Sequence, residues 1–160
     1  MEALAVRIID GTPAALHRLT DDLTAEQYRA LPAAGEWSIV EIAGHLIDKT
    51  EVWGERFRRI AREDRPVLEA FDQDAWVSER GYRSAALPDL LARLQSLCAT
   101  LAADLRALPE AAWERQGTHT ERGVITLSEG VRLYAISLPE HVEQLVRTRD
   151  TVLSQVALAE

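Results

Sequence analysis

Apolar residues recur at three- and four-residue steps through four long stretches of this chain, the spacing that lines one face of an α-helix. In the first stretch Leu4, Ile8, Leu16, Leu19 and Leu23 share a face. Gly11, Thr12 and Pro13 interrupt it, and a capping hydroxyl followed by proline predicts a helix restart. A short polar helix is expected over roughly 24–30, followed by the loop LPAAGEW. Ser38 with Glu41 three residues on forms a capping box that opens the second long helix. Its stripe is Ile39, Ile42, Leu46, Trp53, Phe57 and Ile60, and it should fade before Pro66.

Residues 64–87 read as a long connection with one short helix, DQDAWVSER, whose Trp76 is expected to pin it to the rest. The third long helix starts near Pro88 with the cleanest stripe of all: Leu87, Leu90, Leu91, Leu94, Leu97, Cys98, Leu101, Leu105 and Leu108. A Trp113 element and the polar loop RQGTHTERG lead to a second box, Thr126 with Glu129. The fourth stripe follows as Leu127, Val131, Tyr134, Leu138, Val142 and Leu145. No alternating run is longer than VITL, so no sheet is predicted. The pattern specifies one all-α domain over residues 1–160: a four-helix bundle with short extra helices and a long crossover between the middle helices.

Composition narrows the partners. A formal charge of −8 repels phosphate backbones, so nucleic acid is not expected as a partner. The densest basic stretch, Arg56 to Arg65, reads as the solvated end of a helix, and the single lysine, Lys49, as a coding bias towards arginine. No apolar run approaches the roughly 18 to 20 residues that cross a bilayer, so no membrane is implied and the cytoplasm is the expected setting. Cys98 has no partner for a disulfide and sits in an apolar run, where a thiol behaves as a small hydrophobe.

Four histidines are the candidates for chemistry. His17 lies beside Arg18 with nothing paired to it, and His119 lies in the polar loop. His45 and His141 fall roughly 60° to the side of their helical stripes, at the rim of the core, where half-shielded imidazoles can converge on an ion. Each could equally bond a neighbour at a helix seam. The four tryptophans read as packing anchors at helix starts and junctions.

The run GEWSIVEIAGHLIDKTEVWGERF, the stretch REDRPVLEAFDQDAW, the loop THTERGVITL and the closing HVEQL together resemble the DinB-like superfamily over roughly residues 30–147. The resemblance implies a four-helix bundle, often a homodimer, with a divalent metal held by three histidines. One comes from the second helix and two from an H-x-x-x-H pair on the last. Some members are thiol S-transferases or thiol-dependent isomerases. By position His45 is the first metal ligand and His141 the last, while Ser137 stands where the middle histidine belongs. A neutral hydroxyl is a poor ligand for zinc or nickel, and catalytic zinc normally keeps three protein ligands. Asp48 could substitute only by a rotation of its helix. Pro139 should kink the last helix without ending it, because the stripe runs through it in phase; a break with Ser137 and Glu140 as a third box is the alternative. Three functions are therefore expected: a metal-dependent thiol-transferase-like or hydrolase-like enzyme with an incomplete site, a metal-free relative that binds a small molecule or serves as a stress-associated interaction module, or an oligomeric scaffold with no pocket function.

Overall fold

The computed structural model describes residues 2–159. In chain order the elements are α1 (Glu2–Thr20), α2 (Ala25–Arg29), α3 (Ile39–Arg62), β1 (Val67–Leu68), α4 (Gln73–Arg80), a 3₁₀ turn at Tyr82–Ser84, α5 (Leu87–Arg106), a second 3₁₀ turn at Glu110–Glu114, β2 (Gln116–His119), β3 (Gly123–Thr126) and α6 (Leu127–Ala159). The four long helices α1, α3, α5 and α6 form the bundle. α1 packs on α5 and α6, and so does α3, while the pairs α1/α3 and α5/α6 make no comparable contact. Those two pairs hold the diagonals, so the bundle does not follow simple up-and-down order. The crossover between α3 and α5 is the long one the sequence predicts.

The stripes meet in one core in which Ile9, Leu16, Ile42, Leu46, Phe57, Leu94, Leu105, Val131, Tyr134 and Leu138 are buried. Each such side chain contributes about 1.5–3 kcal/mol by leaving water. Both expected capping boxes form. The Glu41 carboxylate accepts the Ser38 N–H at 2.8 Å, and Glu129 accepts that of Thr126 at 2.8 Å. A third, Thr24 with Gln27, starts α2.

Several expectations are corrected. α1 does not restart at Thr12, because Ile9, Thr12, Pro13, Leu16 and Thr20 are all buried at helical steps and the proline sits in phase on the core face. The Thr12 hydroxyl donates back to the Ile8 carbonyl at 2.8 Å instead of capping. Leu4 faces water at 56% exposure, and Ala5 and Val6 take its place. Trp76 does not pin the crossover; it lies half-buried against Phe71, and Val77 and Tyr82 are the residues driven into the bundle. The polar loop is a β-hairpin, β2 antiparallel to β3, with β1 added parallel to β2. Its strands are too short to show a period in sequence, and Gly123 turns it at φ +76°. α6 runs unbroken through Pro139. The Ser137 hydroxyl donates to the Tyr134 carbonyl at 2.6 Å and caps nothing.

Candidate functional site

His45 projects from α3 into the bundle and is fully buried. His141 comes from α6, half-buried, and the two rings meet edge to face with centroids 4.8 Å apart. Two imidazoles bound to one ion at about 2.0 Å would hold their centroids about 5 Å apart, so the separation suits a shared ligand. Trp37, from the loop before α3, packs on the fully buried His45 with ring centroids 4.8 Å apart. The two histidines singled out in sequence therefore do converge.

The surroundings of His141 differ from those of a bare metal ligand. Lys49, one turn beyond His45 on α3, places its Nζ 2.9 Å from His141 Nε2. His141 Nδ1 lies 3.1 Å from Gln144 Oε1. One protonation pattern satisfies both contacts: Nδ1–H donates to the amide oxygen, and the Nε2 lone pair accepts from the ammonium. A tethered cation thus sits on the nitrogen that would face an ion. His45 has no such arrangement, and neither of its ring nitrogens has a hydrogen-bond partner.

The charges are consistent with this. Burial, then the neighbouring His141 and Lys49, push His45 down to about 3. Burial and Lys49 lower His141 as well. Burial brings the Lys49 ammonium down to about 8. Near neutral pH the site holds two neutral imidazoles and a lysine that is still mostly charged.

The remaining sequence candidates fall outside the pair. Ser137 is committed to the backbone of its own helix. Asp48 is not turned towards water as the helical wheel suggested, because the crossover packs over that face of α3. It is buried, accepts the Tyr82 hydroxyl at 2.6 Å and pairs with Arg80 at 3.1 Å. Burial raises its pKa, and its Oδ2 stays unpartnered. Asp48 is thus turned to the crossover and does not act as a substitute ligand. His17 is exposed, away from the pair. Among the described residues, no three His, Cys, Asp or Glu side chains converge as a metal-binding group. The residues present do not build a three-ligand metal centre.

Beside Lys49 opens a cleft of about 140 Å³ between α3, α6, the crossover and the hairpin, with Lys49, Trp53, Arg56, Phe71, His119 and Ser137 in its lining. Sequence reasoning missed Lys49 and Arg56 and misjudged the setting of His119. Arg56, read as part of a solvated helix end, is only 6% exposed and lies 4.8 Å over the Trp53 ring. His119, placed in a loop, is buried on β2 and stacks on Trp53. Lys49 was set aside, although its position four residues after His45 puts both on one helix face, a signal available in the sequence. Trp37 and Trp53 are site walls as well as packing anchors.

The DinB superfamily model matches residues 8–154. YfiT of Bacillus subtilis, named as a candidate metal-dependent hydrolase, is 25% identical over 141 residues, covering 88% of this chain and 79% of YfiT. A relative from Oceanobacillus iheyensis, with the same candidate activity in its name, is 24% identical over 137 residues, covering 86% of this chain and 79% of its own. The solved structure of YfiT, described as having an unusual four-helix bundle topology, superimposes with a TM-score of 0.84 at 24% identity, over 92% of this chain and 85% of that one. A mycothiol-dependent maleylpyruvate isomerase superimposes with a TM-score of 0.72 at 10% identity, over 91% of this chain and 60% of that one. At these identities the structural likenesses establish the fold.

Proposed function

The chain belongs to the DinB superfamily, and on that premise we propose that it is a divergent member that binds a small molecule at the His45–His141 site without a resident catalytic metal. The observation that carries this reading is the Lys49 ammonium 2.9 Å from His141 Nε2. It supplies a fixed positive charge where the family implies an ion, while Ser137 supplies no third ligand. Two cations at that spacing would repel strongly in a partly buried site. His141 holds the lysine through its lone pair, Gln144 orients the ring, and Trp37 packs against His45. In this reading Lys49 electrostatically stabilises a negative group on the bound molecule, and the His141 Nε2 lone pair becomes free to accept a proton from that molecule only when Lys49 moves aside. The protein forms a homodimer in the cytoplasm, where Cys98 stays reduced.

A second reading is favoured by the two unpartnered nitrogens of His45. There the chain is a metal-dependent hydrolase or thiol transferase of the kind its relatives' names suggest, with His45 and His141 as the two protein ligands of a weakly held zinc or nickel ion and Lys49 swung out.

Metal analysis of protein purified without a histidine tag separates the two. The proposal predicts well under one equivalent of zinc or nickel, unchanged in His141→Ala, and a clear gain in affinity in Ser137→His combined with Lys49→Met. One tightly held equivalent that is lost in His141→Ala refutes it. Light scattering showing a single chain in solution would remove the dimer.

A further inference from the structure

We propose that the cleft beside Lys49 is a binding site for a small oxyanion, a carboxylate or a phosphate, gripped by Arg56, Arg122 and Lys49 between the Trp53 and Phe71 rings. This names the class of the small molecule proposed above and rests on that molecule reaching from the histidine pair past Lys49, which the two places share, into this cleft.

Arg56 gives the strongest reason. A guanidinium that is 94% shielded normally faces a carboxylate, because an uncompensated buried charge costs several kcal/mol. Among the described residues Arg56 has no ion pair. It lies over the rings of Trp53 and Phe71 at 4.8 and 6.0 Å and donates one N–H to the Glu69 carbonyl. A guanidinium carries five donors, so its fork retains N–H groups for an acceptor in the cleft. Arg122 lines the same cleft from the tip of the β2–β3 hairpin and makes no ion pair or hydrogen bond among the described residues. Lys49 lines it too, and among the described residues its hydrogen bond is to His141, with the Glu140 charge nearby.

His119 adds a donor. Its Nδ1 accepts the Glu121 N–H at 3.2 Å, so in the neutral ring the proton sits on Nε2. Among the described residues nothing bonds that nitrogen. Against these groups stands one lining carboxylate, Glu121. Three cations and one anion leave the cleft locally positive on a chain whose formal charge is −8. That contrast disfavours a long polyanion, which the overall negative charge repels, and favours a small one drawn to this locally positive cleft. The two aromatic walls suit the apolar part of a carboxylic acid or the organic part of a phosphate ester. Arginine forks match either oxyanion with paired N–H donors.

The test is calorimetric titration of the tag-free protein with inorganic phosphate and, separately, with succinate, at constant ionic strength. Saturable binding of one or both is expected, and the tighter arm tells a phosphate from a carboxylate ligand. Arg122→Gln, at an exposed position, should weaken that binding about tenfold, the loss of about 1.4 kcal/mol expected for one charge-assisted contact. Arg56→Lys, which keeps the charge but not the fork, should weaken it similarly, and Arg106→Gln on the remote face should leave it unchanged. No saturable binding of either anion overturns the proposal, as does binding that is indifferent to Arg122→Gln. Metal content is measured independently, so a negative titration leaves the reading of the histidine pair standing.

Discussion

His45 makes the protein sensitive to acid in a way that can be calculated. Its ring is fully buried with no hydrogen-bond partner at either nitrogen, and burial holds its pKa at about 3 against an ordinary 6.5. The folded state therefore refuses a proton that the unfolded chain accepts. Between pH 6.5 and about 3 the unfolded state binds more protons, so stability falls as pH falls through this window and levels off below it. At 1.36 kcal/mol per unit, the whole window is worth about 5 kcal/mol, and about half of it is already lost at pH 4.5. That is a large share of the 5–15 kcal/mol that typically separates folded from unfolded domains. Other groups titrate in the same range; Asp48, whose pKa burial raises, opposes the trend. The comparison that isolates His45 is therefore wild type against His45→Leu, by urea unfolding at pH 7.5 and pH 4.5. The leucine variant should lose about 2–3 kcal/mol less than wild type on acidification. Equal losses in the two proteins would refute the reasoning, because they would mean that His45 is charged or solvated in the folded state.

Three further outcomes follow from local geometry. In Gly44→Ala the new Cβ would lie 2.2 Å from the Tyr82 ring, so the ring must move and release Asp48. Overpacking costs about 1–3 kcal/mol. The lost hydrogen bond to a buried carboxyl group costs about 1–3 more. The helix-propensity gain of about 1 kcal/mol does not cover this. The melting temperature should drop by several degrees, and an unchanged one would contradict the close approach. Tyr82→Phe should free Asp48 of its 2.6 Å partner and destabilise by about 1–3 kcal/mol in urea without altering the helix content seen by circular dichroism. Cys98, fully buried with its thiol pushed up to about 12, should react with a disulfide reagent only as fast as the protein unfolds; rapid labelling of the native state would disprove its burial.

The bundle was legible because its signals are local and repeated. Each long helix announces itself by a stripe, and Ser38/Glu41 and Thr126/Glu129 mark two starts to the residue. His45 and His141 were found because a wheel places both at the core's rim and a family resemblance pairs them. The failures share one cause, in that tertiary packing decided what local pattern could not. Pro13 stays inside α1 because its ring lies in phase with Ile9 and Leu16 on the buried face. The hairpin forms because the Arg115 guanidinium ties its base to the Ile60 and Glu63 carbonyls at the end of α3, and β1 supplies a third strand. Asp48 looked peripheral until the crossover, driven in by Val77 and Tyr82, covered its face. Lys49 and Arg56 read as ordinary surface cations, since nothing in one dimension shows that the crossover and hairpin will close over them.

The central claim is that Lys49 takes the position of a metal ion at His141. Long-range proton–nitrogen correlation spectra of the imidazoles, recorded at neutral pH before and after one equivalent of zinc, test it most directly. The account predicts a neutral His141 ring protonated at Nδ1, and nitrogen shifts of His45 and His141 that do not respond to stoichiometric zinc. Large zinc-induced shifts on both rings, saturating at one equivalent, would contradict it.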